Sequence, residues 1–246
     1  MSRAKPKFII VLCEGPTDQI ALEGLLDDLF DETQVNFVFQ SGDLMTSYDR
    51  KRTKSKVGDV VKGAKASLKI KDKDILRVAF LTDSDGCYIS DDVVEDPGLV
   101  HAVYEDDCIR HSNKDAIIKR NHQKRDNLNM LINMPYTCNK KIEFKIYYNS
   151  CNLDHVTGYK RNASNSDKIN IAREFLDKYV DDLPGFVKFF ADDSLTSGKT
   201  EYLESWEVLK NGYESLRRHS NLLVFILDNY EYLNDKAKKS SGDGWI

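Results

Sequence analysis

Two nearly continuous apolar runs, each of which ends abruptly in acidic residues, constrain the fold of this chain more than any other feature. The first run occupies residues 7–13 and is followed directly by Glu14. The second is ILRVAFL at 75–81, and the TDSDG segment after it contains Asp83 and Asp85. Apolar runs of this length, without a polar residue at every second position, are typical of parallel strands that helices cover on both faces.

The segments between and after these runs carry further helix and strand patterns. Pro16 and Thr17 suit the start of a helix, and leucines then recur at helical spacing. These leucines are Leu22, Leu25, Leu26 and Leu29. A second strand is predicted at 35–39, a second helix at 55–68 and a fourth strand at 141–149. This order predicts an α/β fold, a Rossmann-like parallel sheet flanked by helices and built with right-handed crossovers.

The chain divides by pattern into a core and a C-terminal region. We expect residues 1–150 to form the α/β core, with a basic insertion at about 88–140. Residues 151–246 are predicted to be mainly helical and to pack on the core. The apolar stretch NLLVFILDNYEYL at 221–233 fits either a helix or a buried strand.

Composition limits the environment and the partners of the protein. The chain has 246 residues, 41% of them hydrophobic, which is enough for a sizeable core. Its formal net charge is -4, so contact with a polyanion requires local basic patches. The five cysteines show no metal-ligand spacing, which argues against a zinc site and against a disulfide framework. With no signal-peptide pattern and no apolar run long enough for a membrane helix, we expect a cytoplasmic protein without membrane contact.

The acidic residues at the strand ends predict a divalent-metal site. Ligands of open parallel sheets bind beyond the carboxyl ends of the strands, where Glu14, Asp83 and Asp85 lie. Asp18 follows Glu14 by four residues and is predicted to face the same crevice. If the two strands are neighbours, four acids converge, and they cannot all stay ionised without a cation. Hard oxygen ligands indicate Mg²⁺ or Mn²⁺, which can polarise a phosphate oxygen and activate a bound water.

Each piece of this pattern has another explanation when it is taken alone. A DSDG segment after a strand is often only a turn. Haloacid-dehalogenase phosphatases also place Asp-x-Asp at a strand end, but they need a threonine where Cys87 stands. Nucleotide-sugar transferases use Asp-x-Asp as well. Neither enzyme class accounts for Glu14 in its CEGPTD context.

Together, FIIVLCEGPTD and VAFLTDSDG resemble the TOPRIM domain of topoisomerases, bacterial primases, overcoming-lysogenization-defect nucleases and small stand-alone defence nucleases. The resemblance covers residues 7–90. It implies that Glu14 is the catalytic glutamate and that Asp83 and Asp85 are the metal-binding aspartates. It also implies that Asp18 is the second acid that the nuclease branch often places after the glutamate. The chain has no room for a topoisomerase tyrosine domain or for the accessory modules of a primase, which leaves phosphodiester hydrolysis.

Two further site residues are suggested by the same resemblance and by phosphoryl-transfer chemistry. YYNSCNLDHV resembles the NPCFE segment of small defence-type TOPRIM proteins, which implies Asp154 as an additional ligand, although Cys151 and Asn152 depart from that pattern. A cation often stabilises the charge that develops on the transferred phosphorus group. Lys199 and Lys210 are the candidates, with a solvated surface lysine as the alternative for each.

Basic residues cluster locally and predict nucleic-acid contact. The favoured run lies between the second and third strands and begins with Arg50, Lys51, Arg52, Lys54 and Lys56. A second run at 114–125 fits either phosphate contact or an exposed helix face. The aromatic residues are interpreted mainly as core, with Tyr147 or Tyr148 as candidates for stacking a base. His155 is interpreted as a surface histidine.

The leading hypothesis is therefore a Mg²⁺-dependent TOPRIM nuclease of a phage-defence or toxin type, with RNA such as tRNA slightly favoured over DNA by resemblance alone. The second hypothesis is a non-catalytic subunit that binds nucleic acid or an ATPase, in which the acids are structural. A small-molecule phosphohydrolase is the third. A separately encoded ATPase and a homo-oligomer are the protein partners left open.

Overall fold

A computed structural model describes residues 5–42, 44–45, 50–139 and 141–241 of the chain. Its strands are β1 (Lys7–Cys13), β2 (Val35–Ser41), β3 (Ile75–Asp83), β4 (Val94–Glu95), β5 (Val103–Tyr104), β6 (Ile109–Arg110), β7 (Tyr136–Thr137), β8 (Ile142–Ser150) and β9 (His219–Ser220). Its α-helices are α1 (Pro16–Leu29), α2 (Arg50–Leu68), α3 (Lys114–Ile132), α4 (Leu153–Gly158), α5 (Asn165–Tyr179), α6 (Leu183–Phe190), α7 (Asp193–Thr196), α8 (Tyr202–Leu209), α9 (Leu222–Asp228) and α10 (Asp235–Ser241).

The central sheet has the order β2-β1-β3-β8-β7, and β9 pairs with the carboxyl-terminal end of β8. The four long strands β2, β1, β3 and β8 are parallel, whereas the short strands β7 and β9 run antiparallel to β8. The prediction of a mainly parallel α/β sheet flanked by helices is confirmed, and the four predicted strands are its four long strands.

Alternate residues of β1 enter two separate cores, which shows that helices cover both faces of the sheet. Ile9 and Val11 pack with α1, α5, α6 and α9 on one face. Ile10 and Leu12 pack with α2, α3 and α8 on the other. A strand buried on both sides has no solvent-facing position, and this explains why its sequence is apolar throughout.

The first helix starts where the sequence predicted. Pro16 is its first residue, where the missing N–H removes no hydrogen bond. Asp18 lies in the first turn and accepts a hydrogen bond from the backbone N–H of Gly15 at 3.0 Å. All four leucines of the predicted apolar face are buried. The sharp change from β1 to α1 therefore holds Glu14 at the strand end and Asp18 one turn behind it.

The predicted basic insertion contains α3 and a small three-stranded sheet of order β4-β6-β5. One face of α3 is buried against the core, and it includes polar side chains among the apolar ones. The buried residues of α3 are Ile117, Asn121, Lys124, Asn127, Leu128, Leu131 and Ile132. The second basic run is therefore not simply an exposed helix face, because it is interrupted by inward-pointing positions.

The region after residue 150 is mainly helical, as predicted, and α5 contacts α1 directly. The ambiguous apolar stretch near residue 221 forms α9, so its interpretation as a buried strand is wrong. This region also supplies β9 to the central sheet. The division of the chain at residue 150 stays a prediction. Within the described ranges, no helix combines the length and the apolar character that crossing a bilayer requires.

Candidate active site

The topology brings the two acidic strand ends together. β1 and β3 are direct neighbours, with Cys13 opposite Leu81 in the register. Glu14 and Asp83 therefore leave the sheet side by side at its carboxyl edge. The Thr82 hydroxyl donates a short hydrogen bond to a carboxylate oxygen of Glu14, which fixes this side chain toward β3.

A tight turn after β3 positions Asp85. Asp85 and Gly86 both adopt left-handed backbone conformations, with φ of 48° and 65°. The backbone N–H of Asp85 donates to the carbonyl of Cys151 at 2.8 Å, which ties the turn to the end of β8. A Cβ on Gly86 would collide with the side chain of Leu216, so glycine is required for both its conformation and its close contact. The DSDG segment is a turn, and this turn directs Asp85 toward the ammonium of Lys124, which also contacts Glu14.

Lys124 of α3 lies between two of the acids. Its ammonium is 2.5 Å from Oδ2 of Asp85 and 3.2 and 3.3 Å from the two carboxylate oxygens of Glu14. Its side chain is only 6% exposed. Burial alone would lower the pKa of Lys124, but Asp85 and Glu14 outweigh that effect and hold it well above the ordinary value. Burial opposes ionisation of Asp85, and the cations of Lys124 and Arg120 overcome it, so the pKa of Asp85 is lowered.

A second group of acids surrounds Asp18. Burial raises the pKa of Asp18 to about 7, and the nearby carboxylates of Glu14 and Asp154 add to the rise. Asp154, in the first turn of α4, is buried and pairs with Lys168 of α5 at 2.9 Å. The structure therefore places Asp154 with Asp18, although the sequence departs from the pattern that suggested it.

Asp83 connects the two groups. Burial, and then the negative charges of Asp18 and Glu14, raise its pKa well above the ordinary value. One of its oxygens accepts a hydrogen bond from the backbone N–H of Leu153 at 3.0 Å, at the start of α4. We refer to Glu14, Asp18, Asp83, Asp85 and Asp154 together as the carboxylate cluster.

The composition of the carboxylate cluster suits a hard divalent cation. Five acids supply only oxygen ligands, which is the donor set that Mg²⁺ and Mn²⁺ prefer. Among the described residues, no three His, Cys, Asp or Glu side chains are already arranged as a metal-holding group. Two of the five acids contact the ammonium of Lys124 instead. A cation that binds Glu14 or Asp85 therefore has to share these carboxylates with Lys124 or displace it.

The two lysines proposed from the sequence make other contacts. Lys199 pairs with Glu204 at 3.3 Å, and both side chains are about half exposed. Lys210 pairs with Glu207 at 2.6 Å. The amines that contact the carboxylate cluster are those of Lys124 and Lys168.

Sequence reasoning assigned Lys124 only to a general basic run and did not single out Lys168. A signal for Lys124 was present, because it falls at helical spacing between Ile117 and Leu128 on the apolar stripe of α3. A lysine on the buried face of a helix needs a carboxylate partner. No comparable signal marks Lys168, whose side chain is partly exposed.

The predicted nucleic-acid run lies on α2. Arg52 and Lys54 are exposed and Lys56 is half-buried, whereas the side chains of Arg50 and Lys51 lie outside the described residues. Four lysines line a groove of about 630 Å³ that α2 forms with the β7 region. These lysines are Lys54, Lys62, Lys65 and Lys141. The exposed Tyr136 and a single acid, Asp72, belong to the same groove.

Three interpretations of individual side chains need correction. Tyr147 and Tyr148 are fully buried, so neither can stack a base. His155 is buried and not a surface residue, and burial together with Arg161 and Arg218 lowers its pKa to about 4. Its Nδ1 accepts the backbone N–H of Cys151 at 3.2 Å, which gives it a structural role at the end of β8.

Comparison with known protein families, with curated proteins and with solved structures finds no match to this chain. Function therefore has to be inferred from the residues and geometry of the site.

Proposed function

We propose that the protein is a metal-dependent nuclease of the TOPRIM type, which hydrolyses phosphodiester bonds at the carboxylate cluster. The observation that carries this proposal is the crowding of five acids at the carboxyl edge of the sheet, where they outnumber the three cations beside them, Lys124, Lys168 and Arg120. The pKa values of Asp18 and Asp83 are raised first by burial and then by the excess negative charge of the neighbouring carboxylates. A divalent cation would relieve it, whereas a purely structural cluster gains nothing from it.

The residues divide into ligands and groups that act on the reacting atoms. Asp83 and Asp85, at the end of β3, would hold Mg²⁺ or Mn²⁺ together with Asp18 and Asp154. The bound cation would polarise a phosphate oxygen and lower the pKa of a water molecule. Glu14, which accepts a hydrogen bond from Thr82, would accept the proton of the attacking water or serve as a further ligand.

Lys124 takes the role that the sequence assigned to Lys199. Its ammonium is fixed by two carboxylates and is nearly excluded from solvent. A charge held in this way is worth more than the same charge in water, because little solvent screens it. Lys124 is therefore the candidate for stabilising the negative charge that develops on phosphorus, and Lys199 is left with a surface role.

The exposed cations of α2 and the groove beside them would contact the phosphate backbone. The local charge is positive despite the acidic total, because the groove contains four lysines and one aspartate. Phosphate contacts of this kind are not sequence-specific and weaken steeply with salt. RNA, including tRNA, is the first substrate to test. A phage-defence or toxin role in the cytoplasm, with a separately encoded ATPase, rests on resemblance alone.

A second function is favoured by one observation. Lys124 already neutralises part of the cluster without a metal, as a structural ion pair would. On this alternative, the protein is a non-catalytic subunit that binds nucleic acid or an ATPase partner.

The decisive experiment combines cleavage and metal binding. The purified protein is incubated with tRNA, total RNA and plasmid DNA in Mg²⁺ or Mn²⁺, beside Glu14→Gln and Asp83→Asn. We expect each variant to lose at least about 100-fold in cleavage rate, because each removes a group that acts directly on the cation or the water. Glu204→Gln, which changes an exposed carboxylate, is the matched control and should cleave at the parental rate.

Calorimetric titration with Mg²⁺ separates the two functions. The nuclease should bind Mg²⁺ in a manner that Asp83→Asn abolishes. Equal cleavage by the parent and both site variants would reject the assignment of the cluster. Absence of Mg²⁺ binding and of cleavage in the parent would favour the non-catalytic subunit.

A further inference from the structure

An exposed tyrosine stacked on an arginine stands close to the carboxylate cluster. The centre of the Tyr159 ring lies 3.9 Å from the guanidinium carbon of Arg218. Tyr159 is 73% exposed. The same guanidinium is 5.3 Å from the ring centre of Phe189, and its Nε donates to the carbonyl of Val156 at 2.8 Å. Arg218 is thus fixed from behind, and it supports one face of an aromatic ring that extends into solvent.

The backbone of Tyr159 is held in a conformation that suits its residue type poorly. Its φ is 55° and its ψ is 21°, in the left-handed region where bulky residues are uncommon. Its N–H donates to the carbonyl of His155 at 3.1 Å. A Cβ on the preceding Gly158 would come within 2.6 Å of Ile171, so α4 and α5 are in close contact there. Glycine or asparagine would adopt this backbone conformation at the end of a helix more easily. A tyrosine in a strained backbone conformation suggests that its side chain has a function.

One cation beside the ring, that of Arg218, can attract an anion. The neighbouring cations are paired, Lys160 with Asp167 and Arg217 with Glu214. In the part of the chain that the structure describes, Arg218 forms no salt bridge with a carboxylate. Asp192 lies near enough to interact with the charge of Arg218 but, among the described residues, forms no salt bridge with it, so the guanidinium can still attract a phosphate beside the ring.

The helix α4 joins Tyr159 directly to the candidate active site. Asp154 lies in the first turn of α4, and Tyr159 is the residue that ends this helix. A helix of 6 residues spans about 9 Å, which is little more than the spacing of one or two stacked nucleotides. A strand whose phosphate lies at the carboxylate cluster can therefore reach the ring of Tyr159 with a nearby base.

We propose that Tyr159 and Arg218 form a stacking platform for an unpaired base of a single-stranded nucleic acid. The inference rests on the proposed nuclease function and refines its substrate to a single-stranded segment. Stacking on an aromatic ring is available to any base whose face is free, but not to a base inside a duplex. Arg218 contributes by holding the ring from behind and by attracting the adjacent phosphate.

The test measures binding without cleavage. A fluorescent single-stranded RNA of about 12 nucleotides, within the span of one binding fold, is titrated with the full chain in EDTA and followed by anisotropy. The same RNA annealed to its complement is the second probe. We expect Tyr159→Ala to bind the single strand about 5- to 100-fold more weakly, as loss of one stacked base predicts. Tyr159→Phe should bind like the parent, and duplex binding should not change.

Two further variants separate stacking from stability. Tyr159→Asn suits the left-handed backbone and should fold at least as well as the parent, yet it should bind the single strand as weakly as Tyr159→Ala. Tyr230→Ala removes another exposed tyrosine, which follows α9, and should leave binding unchanged.

Equal single-strand binding by the parent, Tyr159→Ala and Tyr159→Asn would overturn the platform and favour a protein contact at this tyrosine. Failure of the parent to bind the single strand would overturn it too. Tyr159-dependent binding without any cleavage would keep the platform and reject the nuclease. Cleavage that depends on Glu14, together with unaltered single-strand binding by the Tyr159 variants, would keep the nuclease and reject the platform.

Discussion

The two ends of the central sheet both carry charged side chains, but they balance them differently. In the amino-terminal half, Arg77 pairs with Glu143 at 3.3 Å and Lys145 pairs with Asp228 at 2.9 Å, so each acid has its own cation. At the carboxyl edge, the five acids of the carboxylate cluster share Lys124 and Lys168, and the guanidinium of Arg120 also acts on Asp85. Balanced charge is typical of a structural ion pair, whereas crowded like charge destabilises the fold unless a ligand compensates for it. The two regions therefore differ in how fully their described acids are paired with cations, and a metal-ion site at the carboxyl edge stays a proposal.

The strongest way to test this difference is to remove the cation that the cluster already contains. Lys124→Met should lower the free energy of unfolding by about 2 to 3 kcal/mol in metal-free buffer, because Glu14 and Asp85 lose their shared partner. Mg²⁺ should then stabilise the variant more than the parent, since the ammonium no longer competes for these carboxylates. Urea denaturation with and without Mg²⁺ measures both effects.

Lys199→Met is the matched control for this experiment. Its exposed pair with Glu204 should contribute less than about 0.5 kcal/mol, and Mg²⁺ should act on the variant as on the parent. If Lys124→Met is no less stable than Lys199→Met, the buried ion pairs do not hold the site together. If Mg²⁺ stabilises none of the proteins, the carboxyl edge is no more a cation site than the amino-terminal half.

A smaller effect is expected from pH. The native pKa of Asp18 is about 7, whereas a carboxyl group in the unfolded chain titrates near pH 4. Between these values the native protein binds more protons on this group than the unfolded chain does. The contribution of Asp18 to the free energy of unfolding should therefore fall by about 2 kcal/mol between about pH 5 and pH 7.5 without metal. Buried His155, whose native pKa is about 4, contributes a rise over the same range, so the Asp18 effect is measured as the difference between the parent and Asp18→Asn.

Asp18→Asn should gain stability relative to the parent as the pH rises, because asparagine does not titrate and its oxygen can still accept the Gly15 N–H. Urea denaturation across the same pH range, with EDTA present, measures the slopes. A difference in stability between the parent and Asp18→Asn that does not change with pH would mean that Asp18 is compensated as well as the acids in the amino-terminal half.

The parts of the fold that followed from sequence are those decided by local pattern. β1 and β3 were recognisable because a strand buried on both faces must be apolar at every position. The start of α1 followed from Pro16 and from the leucine spacing behind it. The type of α9 did not follow, because a short apolar run fits a helix and a strand equally well and only its packing decides.

The acids of the candidate site could be predicted from local motifs, whereas the pairing of their cations with them could not. Glu14 and Asp83 lie at strand ends, where the topology of a parallel sheet brings them to one edge. Lys124 reaches Glu14 across 110 residues of chain, through the orientation of a helix in an insertion. Lys199, by contrast, lies in a loop that looks catalytic by composition but faces solvent. A contact between distant segments depends on how helices pack, and a local motif contains no information about that.

The finest test exchanges one charge at each end of the sheet for a neutral amide of the same shape. Asp83→Asn keeps an oxygen that can accept the Leu153 N–H but removes a negative charge from beside Asp18 and Glu14. Its free energy of unfolding should rise by about 1 kcal/mol in metal-free buffer, while Mg²⁺ binding is lost. Glu143→Gln should have the opposite sign, a loss of about 1 kcal/mol, because it leaves the nearly buried Arg77 without its carboxylate. Changes of opposite sign in the free energy of unfolding of the two variants, measured by urea denaturation at neutral pH, would show that the acids at the carboxyl edge destabilise the fold, as expected of a functional site. A loss of stability in both variants would instead make the two ends equivalent, and the argument for a cation at the carboxylate cluster would fail.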